Sequence, residues 1–215
     1  DWYTVGGGES AHVAFDPDNP RLVYATTILG SITEYDRRTK MSRNIMPYPV
    51  FDIGADAKDM IYRANWNAPV VVSLHDTGTL YFATNKLLRS TDRGNHWTEV
   101  SPDLTRNEIE KQGRGGIPFT NEQAGAEVYN SIMYIAESPH EPGTIWVGTD
   151  DGLVHITRNG GEDWADVTPR GLDESIVNTI EVSLHDPATA YAAVMRYKFD
   201  DFLPYIYKTT NYGRS

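Results

Sequence analysis

The sequence of 215 residues contains no cysteine. Disulfide bonds and thiolate chemistry are therefore excluded, and cysteine usage does not indicate a redox compartment. The sequence also has no apolar run of the length that crosses a bilayer, so we expect no membrane span in this segment.

Basic residues are scarce relative to acidic ones. There are 19 lysines and arginines against 30 aspartates and glutamates, which gives a formal net charge of −11. A surface of this sign repels phosphate backbones and anionic lipids, so we expect no nucleic-acid partner. The glycine-rich runs at residues 6–8 and 113–116 lack the Lys-Ser/Thr that follows a phosphate-binding loop, and we expect no cofactor.

The most regular feature of the sequence is a turn of the form Ser/Thr-x-Asp/Asn-x-Gly-x-x-Trp. Residues 90–97 and 157–164 follow this form in full, and residues 209–213 begin a third copy. The Asp or Asn side chain accepts backbone N–H groups and the glycine supplies a positive φ, so each copy predicts a hairpin turn. We call these segments the repeated turns, and their expected structural residues are Ser90, Asp92, Gly94, Trp97, Thr157, Asn159, Gly161, Trp164, Thr209, Asn211 and Gly213.

A second pattern recurs with these turns. An acidic residue that precedes an apolar run stands at Asp18, Asp76, Glu141 and Asp186. The shortest interval between these positions accommodates four short strands, which is the size of one propeller blade. The sequence therefore predicts an all-β fold, a single β-propeller region over residues 1–215 with about four blades of four-stranded antiparallel sheet. The repeats lie at about 12–46, 70–101, 132–168 and 179–215.

Each repeat divides into strands A to D. Strand A precedes the acidic residue, strand B follows it, strand C precedes the repeated turn, and strand D begins at the tryptophan. Strand A is predicted at residues 12–15, 70–74, 132–138 and 179–184, strand B around Tyr24, Phe82, Val147 and Ala192, and strand C at residues 32–35, 87–90, 153–157 and 206–209. Helix is expected only in the two long connections, around residues 107–112.

The first residues of the sequence resemble a strand D. Residues 2–5 read Trp-Tyr-Thr-Val, which is similar to Trp-Thr-Glu-Val at 97–100 and Trp-Ala-Asp-Val at 164–167. Residues 1–5 are therefore predicted as the outer strand of a neighbouring blade. Two arrangements are open: part of a larger propeller, which we expect because propellers commonly have more blades, or a closed ring of four blades.

These turns resemble the Asp-box (BNR) repeats of sialidase-like, xyloglucanase-like and sortilin-like β-propellers. The opening Trp-x-x-Val-Gly-Gly-Gly-Glu and the run from residue 13 to 36 resemble the first blade of xyloglucanase-like proteins. The chain also looks like large secreted bacterial proteins described as glycosyl hydrolases or sortilin-like. The resemblance implies a glycan-related role and a secreted, periplasmic or cell-surface location. Neither the arginine triad of sialidases nor the catalytic aspartates of xyloglucanases can be matched, so it implies no catalytic residue.

Two recurring groups of side chains could be interpreted as catalytic or metal-binding residues, and for each we favour a structural role. Asn159 stands where Asp92 stands in the earlier turn, and an amide accepts a hydrogen bond but cannot transfer a proton in catalysis. His75, His140 and His185 recur beside the acidic anchors, a residue type that zinc and iron sites use. Equivalent positions on successive blades diverge around the ring, so we expect turn residues here and no metal site.

The candidate functional residues lie in long segments on one face of the predicted disc. The repeated turns and the A–B turns occupy one face, the turn face. The opposite crossover face carries the B–C loops and two D-to-A connections, the first crossover (residues 46–69) and the second crossover (residues 101–131). An enlarged B–C loop is also predicted at 195–205. Long loops on a rigid frame commonly hold the functional site.

The side chains expected on the crossover face suit a polar ligand such as a sugar. Aromatic rings stack on a pyranose, and charged groups bind its hydroxyls. Arg63, Trp66, Glu127, Asp150, Asp151, Arg196 and Asp201 are expected to border one depression near the ring axis. The candidate substrate-binding residues are Arg63, Trp66, Glu127, Tyr129, Arg196 and Tyr197, and the candidate catalytic carboxylates are Asp150, Asp151, Asp200 and Asp201.

Two functions remain open at this point. The first is a glycoside-hydrolase-like propeller, in which Asp150 or Asp151 and Asp200 or Asp201 act as acid and base or nucleophile. The second is a non-catalytic propeller, sortilin-like or assembly-factor-like, that binds a protein or peptide. A pair of carboxylates at catalytic spacing in an open groove favours the enzyme. Carboxylates neutralised by Arg63, Arg196 or Lys198 favour the binding protein.

Overall fold

The computed structural model describes residues 2–9, 12–116 and 127–215. These residues form fifteen strands in four antiparallel sheets, and their only helical segments are short 3₁₀ turns. Each sheet is a meander whose neighbouring strands are consecutive in the chain. The predicted all-β fold of antiparallel blades is confirmed, as a partial propeller.

The strands of the four sheets follow the predicted repeats. Sheet 1 contains β1 (Val13–Phe15), β2 (Leu22–Thr27), β3 (Ser31–Asp36) and β4 (Met41–Asn44), and sheet 2 contains β5 (Val70–Val72), β6 (Leu80–Ala83), β7 (Leu87–Ser90) and β8 (Thr98–Glu99). Sheet 3 contains β9 (Ile132–Glu137), β10 (Ile145–Thr149), β11 (Val154–Thr157) and β12 (Ala165–Asp166). Sheet 4 has three strands, β13 (Ile176–Val182), β14 (Ala190–Arg196) and β15 (Asp201–Thr209).

The hydrophobic core lies between successive sheets. The second strands of sheets 2 and 3, β6 and β10, are buried along their whole length, which requires apolar or small residues on both faces. Their side chains fill the spaces on either side, where burial of apolar surface supplies the main stabilisation. The largest fully buried side chains include Phe82, Ile32, Leu80, Leu87, Leu88, Ile132, Ile145 and Ile180.

Two predictions about loops were wrong. A 3₁₀ turn does form at Ile109–Lys111, within the expected residues 107–112, but further 3₁₀ turns lie outside the crossovers, at Ile28–Gly30 and Tyr197–Phe199. The enlarged loop predicted at 195–205 is also absent. There β14 and β15 extend towards each other until Arg196 pairs with Asp201, which leaves only residues 197–200 as the loop.

The fourth strand C, predicted at residues 206–209, begins earlier than expected, at Asp201, and the prediction missed this start because Pro204 interrupts the apolar pattern. Proline lacks a backbone N–H and is normally read as a strand breaker. Pro204 lies within β15, which is the outermost strand of sheet 4 in the described residues. A proline is tolerated on such an edge because its missing donor would face away from the neighbouring strand.

Residues 2–9 contain no strand, so the outer strand predicted at 1–5 does not form across residues 2–5. The segment instead lies against the turn between β3 and β4. The ring of Tyr3 lies 6.4 Å from that of Tyr35, and its hydroxyl accepts a hydrogen bond from Arg37 Nε at 3.0 Å. The Lys40 ammonium lies 4.7 Å above the same ring. Trp2 is fully exposed.

The three repeated turns share one set of hydrogen bonds. In the first, Ser90 Oγ donates to Asp92 Oδ1 at 2.9 Å and accepts from the Gly94 N–H at 2.8 Å, and the His96 N–H donates to Asp92 Oδ1 at 2.9 Å. In the other two turns, asparagine oxygens replace the Asp92 carboxylate. The corresponding donor–acceptor pairs are Thr157–Asn159, Gly161–Thr157 and Asp163–Asn159, then Thr209–Asn211, Gly213–Thr209 and Ser215–Asn211, all at 2.9–3.0 Å.

Each of the first two turns also fastens its sheet to the preceding one. Trp97 Nε1 donates to the Ile45 carbonyl, and Trp164 Nε1 donates to the Val100 carbonyl, both at 2.8 Å. The glycine of the turn lies against the same residue. Gly161 has φ +100°, and a side chain there would collide with the Val100 carbonyl oxygen. Only glycine fits both the backbone conformation and this close approach.

The recurring histidines make a similar connection between sheets. His75 Nε2 lies 2.7 Å from the Ser138 carbonyl oxygen, and His140 Nε2 lies 2.9 Å from that of Ser183. Each ring therefore joins the turn after one strand A to the end of the next strand A. Among the described residues, no group of three or more potential metal ligands is found.

Candidate functional site

A cavity of about 360 Å³ opens among the crossovers and the fourth B–C loop. The first crossover contributes Trp66 between two asparagines, the second contributes Glu127 and Tyr129, and sheet 4 contributes the turn after β14. The lining combines rings, amides and charged groups: Trp66, Tyr129, Tyr197, Phe199, Asn65, Asn67, Asn178, Glu9, Glu127, Asp150 and Lys198.

Five of the candidate residues from the sequence line this cavity. They are Trp66, Glu127, Tyr129, Asp150 and Tyr197. The expectation of one shared depression was wrong for four others, because Arg63, Asp151, Arg196 and Asp201 do not line it. The candidate Asp200 is also outside the lining and is exposed, with φ 57°. A further acidic residue of the second crossover, Glu122, lies outside the described residues.

Asp150 borders the cavity from a buried position in the B–C loop of sheet 3. Its Oδ1 accepts the Ser131 N–H at 2.8 Å, and its Oδ2 accepts Ser131 Oγ at 2.8 Å and Asn65 Nδ2 at 2.9 Å. Asn65 also donates to the Val128 carbonyl at 2.8 Å. Asp150 therefore joins the first crossover, the second crossover and sheet 3 at the floor of the cavity.

Asp151 points away from the cavity and is completely buried. Its Oδ2 accepts the Arg106 N–H at 2.8 Å and Asn130 Nδ2 at 2.6 Å, and its Oδ1 accepts Thr149 Oγ1 at 2.5 Å. Arg106 Nε also donates to the Asp151 backbone carbonyl at 2.8 Å. This carboxylate fixes both ends of the second crossover to sheet 3, which is a structural role.

Burial dominates the electrostatics of this pair. It raises the pKa of Asp150, and repulsion from the neighbouring Asp151 raises it further. Burial also raises the pKa of Asp151, against the opposing effect of its hydrogen-bond donors. Burial therefore favours the protonated form of Asp150 at the floor of the cavity.

Arg63 is buried and structural. Its Nη2 forms an ion pair with Asp103 at 2.5 Å, and its Nε donates to the Asn130 carbonyl at 3.1 Å. Burial alone would raise the pKa of Asp103, but hydrogen bonds from Thr105 and Asn85 and the charge of Arg63 lower it below its usual range. The sequence could not distinguish this buried pair from an arginine that faces a ligand.

The charged groups of sheet 4 are also engaged with one another. Asp201 Oδ2 accepts the Tyr205 hydroxyl at 2.7 Å and lies 3.6 Å from Arg196 Nη1. The Tyr205 hydrogen bond is the main cause that lowers the pKa of Asp201. Arg196 Nε donates to the Glu174 carbonyl at 3.2 Å. The predicted pairing of Asp150 or Asp151 with Asp200 or Asp201 is therefore not assembled around the cavity.

At the cavity wall, Glu127 and Tyr129 also have partners. Glu127 Oε2 lies 3.6 Å from Lys198 Nζ. The Tyr129 hydroxyl donates to Glu174 Oε1 at 2.9 Å, and burial together with Glu174 raises the pKa of Tyr129. Lys111 forms a further ion pair with Glu174. These contacts hold the second crossover against sheet 4.

Sequence reasoning missed the amides of the cavity. Asn65 and Asn67 flank Trp66 in the first crossover, and Asn178 projects from β13 at a register shift between β13 and β14. The sequence Asn-Trp-Asn in a long loop was an available signal, because uncharged donors and acceptors beside a ring suit a hydroxyl-rich ligand. Nothing in the sequence marked Asn178.

The overall fold is similar to that of solved propeller enzymes. An ancestral GH74 enzyme matches 98% of this chain with a TM-score of 0.61 and 18% identity, and the match covers 24% of that chain. The GH74 xyloglucanase from Xanthomonas campestris matches 94% of this chain with a TM-score of 0.51 and 18% identity, over 37% of its own length. The chain therefore spans about a quarter of the first enzyme and somewhat more than a third of the second.

A solved extracellular domain has a similar fold. The extracellular domain of a one-component system from B. thetaiotaomicron matches 91% of this chain with a TM-score of 0.53 and 9% identity, over 22% of its length. No protein-family model matches the chain. No curated protein matches it either. Within residues 2–9, 12–116 and 127–215, no helix is long and apolar enough to cross a membrane.

Proposed function

We propose that this chain is part of an extracytoplasmic Asp-box propeller with a glycan-related role, and that its cavity binds a glycan. The observation that carries the proposal is the lining of the 360 Å³ cavity, where aromatic rings stand beside amides and carboxyl groups. Rings such as Trp66 and Tyr197 offer stacking surfaces for pyranoses. Asn67 and Asn178 offer donors and acceptors for hydroxyl groups.

The repeated turns support the Asp-box part of the proposal. Three turns use the same hydrogen bonds although one carries aspartate and two carry asparagine. A turn that tolerates this exchange is held by an acceptor oxygen and not by charge. This is the behaviour expected of a repeated structural element in a propeller related to the sortilin-like and glycosyl-hydrolase-like proteins.

The charges of the cavity favour an uncharged glycan. Glu9 and Glu127 line it, Asp150 adds a buried carboxyl group whose raised pKa favours the neutral form, and the one lysine or arginine of its described lining, Lys198, lies 3.6 Å from Glu127. An anionic sugar would meet Glu9 without a free cation of the described lining to pair with it. The likeness to a GH74 xyloglucanase makes oligosaccharides of xyloglucan the first probes. A secreted, periplasmic or cell-surface location suits such a ligand.

Binding without catalysis is supported better than hydrolysis by this part of the protein. The carboxylates Glu127 and Asp201 are neutralised by Lys198 and Arg196, and the pair expected from the sequence does not meet at the cavity. Carboxylates that are paired with cations in this way would also suit a site that binds a peptide. Peptides are therefore the competing ligand class in the experiment below.

The experiment measures calorimetric binding of xyloglucan oligosaccharides and of a mixed peptide library. We expect saturable binding of the oligosaccharide, weakened about tenfold or more by Trp66→Ala or Tyr197→Ala because each removes an aromatic contact. The control is Phe202→Ala, which removes an exposed ring outside the cavity. Binding that survives both cavity variants, or selection of peptides over sugars, would contradict the proposal.

Hydrolysis is the second candidate, because one observation favours it. Burial raises the pKa of Asp150, and a carboxylic acid that keeps its proton at neutral pH can protonate a glycosidic oxygen. A second carboxylate would have to accept the proton of the attacking water, and Glu127 is the candidate in the same lining. Release of reducing sugar that is abolished by Asp150→Asn and retained by Asp201→Asn would favour this candidate. No release by the wild-type chain would exclude it for this segment.

A further inference from the structure

Trp66, an aromatic ring of the cavity lining, lacks the contact that fixes two other tryptophans of the chain. Trp97 and Trp164 each donate from Nε1 to a carbonyl group of the preceding sheet, both at 2.8 Å. The indole N–H of Trp66 makes no hydrogen bond to another of the described residues, and only its backbone N–H is engaged. The orientation of this ring must therefore come from the backbone that carries it.

That backbone is a β-turn made by residues 65–68. The Asn65 carbonyl accepts the Ala68 N–H at 3.2 Å, which closes the turn. Asparagine is favoured at the first position of such a turn, because its side chain can bond to the neighbouring backbone. Here Asn65 Oδ1 accepts the Trp66 N–H at 2.6 Å. The two residues at the tip, Trp66 and Asn67, both line the cavity.

The two ends of this turn are anchored to different parts of the protein. At the first end, Asn65 Nδ2 donates to the Val128 carbonyl at 2.8 Å and to Asp150 Oδ2 at 2.9 Å. At the other end, the Ala68 carbonyl accepts Thr26 Oγ1 at 2.8 Å. Asn65, Ala68 and Thr26 are all buried, so water competes little for these hydrogen bonds. The tip of the turn is therefore held from both sides.

The two asparagines beside the ring have different surroundings. Asn65 is 8% exposed, and both N–H donors and the carbonyl oxygen of its side chain bond to protein groups. Asn67 is exposed, and its side chain has no hydrogen bond to another residue in the described ranges. An amide with free donors can bind a ligand, whereas one whose donors are taken supports its neighbours. Asn65 is therefore part of the support of the ring.

We propose that Asn65 is a positioning residue, which holds the Trp66 ring in one orientation for stacking against a sugar. This inference rests on the proposed glycan-binding function of the cavity, but the order of the ring can be measured without a ligand. Asn65 acts through the turn, because it bonds to the Trp66 N–H and ties the turn to Val128 and Asp150. A ring that is already ordered loses less freedom when a ligand binds, so the ligand binds more tightly.

The first experiment uses no ligand. The full chain is labelled with fluorotryptophan, which gives a fluorine NMR signal for each of its five tryptophans, and Trp66→Phe identifies the signal of Trp66. We expect one narrow Trp66 signal in the wild type. In Asn65→Ala the signal should broaden or shift, because the ring then samples further orientations.

The matched control for this experiment is Asn159→Ala. It also removes a turn amide beside a tryptophan, since Asn159 accepts the Asp163 N–H at 3.0 Å in the second repeated turn. This variant should disturb the signal of Trp164 and leave that of Trp66 unchanged. The comparison separates a local effect of Asn65 from a general loosening of the fold.

The second experiment is a double-mutant cycle on the affinity for xyloglucan oligosaccharide, measured by calorimetry. Asn65→Ala should weaken binding about threefold to tenfold, the scale of ordering one large side chain. In the Trp66→Ala background the same change should alter the affinity by less than about twofold, because Asn65 acts only through the ring. Asn67→Ala should weaken binding in both backgrounds, since a residue that contacts the ligand itself does not depend on the ring.

Urea unfolding checks that each variant is folded. If Asn65→Ala shows no cooperative transition, Thr26→Val takes its place with the same expected results, because it removes the donor at the other end of the turn. The proposal is overturned if the folded variant leaves the Trp66 signal unchanged, if Asn159→Ala disturbs that signal equally, or if the affinity loss is as large without the ring. Absence of oligosaccharide binding by the wild type would contradict the glycan-binding function, and the Trp66 signal would then decide the positioning role alone.

Discussion

The two faces of the molecule are built in contrasting ways. On the turn face, short turns satisfy their own backbone through Ser90, Asp92 and their counterparts, and each tryptophan there is tied to a neighbouring sheet. On the crossover face, long segments are held by buried charges such as Asp151 and Arg63 and enclose a cavity. The comparison teaches that the side chains that recur from repeat to repeat have structural roles, whereas the candidate site is built from side chains that occur in only one repeat.

Charge alone does not identify function on the crossover face. Asp150 and Asp151 are adjacent in sequence, yet one borders the cavity and the other is sealed behind it. Arg63 and Arg196 were equally plausible as ligand-binding residues, and both are engaged by protein groups. The predictions below test this division between side chains that hold the crossovers and side chains that face the cavity.

The largest effect is expected from Arg63→Ala. The change leaves Asp103 without its cation and the Asn130 carbonyl without a donor. Breaking a buried ion pair on one side costs about 3 kcal/mol or more, so we expect a loss of that size in the free energy of unfolding measured with urea. If Arg63→Ala instead kept its stability and lost ligand binding, Arg63 would belong to the cavity and not to its support.

Asp151→Ala should have the next largest effect. Three donors, from Thr149, Arg106 and Asn130, lose their acceptor in a fully buried position. Unsatisfied buried donors cost on the order of 2 kcal/mol in total stability even when some rearrange. Urea unfolding measures this loss, and Asp173→Ala, at an exposed aspartate, is the control. Equal stability of the two variants would contradict the structural role of Asp151.

A smaller effect should appear in the pH dependence of stability. Burial raises the folded-state pKa of Asp150, so the folded chain holds a proton that the unfolded chain releases near the ordinary carboxyl range. The contribution of this proton is complete below the ordinary pKa of a carboxyl group and is lost as pH rises through the raised pKa. Relative to Asp150→Asn, the wild type should therefore lose unfolding free energy as pH rises. If the unfolding free energy of the wild type instead rose with pH relative to that of Asp150→Asn, the folded-state pKa of Asp150 would be lowered.

The smallest effect is expected from Asp92→Asn on the turn face. Asparagine keeps the acceptor oxygen for the His96 N–H, as Asn159 does for the Asp163 N–H in the next sheet. The exposed contact between the His96 ring and the Asp92 carboxylate is the only charged interaction lost at this turn in the described residues. A thermal melt should show no resolvable change in the unfolding midpoint. A large decrease would mean that the charge, and not the acceptor oxygen, holds the turn.

The fold was predictable because the sequence patterns that specify its strands and turns are local and recur from repeat to repeat. Each repeated turn carries its own acceptor and glycine, and apolar runs on either side of it define strands such as β7 and β11. The exception was the first half of β15, where Pro204 hides the extension of the strand predicted at residues 206–209, although its position on the sheet edge makes proline acceptable. Position on an edge is a property of the whole fold and leaves no mark in the local sequence.

The site was only partly predictable, for a different physical reason. Trp66, Glu127, Tyr129, Asp150 and Tyr197 were expected on the crossover face and do line the cavity. Whether a charged side chain faces a ligand depends on partners distant in sequence, such as Asp103 for Arg63 and Tyr205 for Asp201. These pairings follow from the packing of the crossovers, which show no repeat from which a register could be inferred.

The most direct test of the division between the faces compares two half-buried tryptophans, Trp66 and Trp97. Both alanine variants are measured for urea unfolding and for calorimetric binding of xyloglucan oligosaccharide. Trp66→Ala should weaken binding about tenfold or more with a stability change below about 1 kcal/mol, whereas Trp97→Ala should lose about 3 kcal/mol of stability and keep its affinity while folded. The opposite pattern, with binding lost in Trp97→Ala and retained in Trp66→Ala, would contradict the assignment of the ligand site to the crossover face.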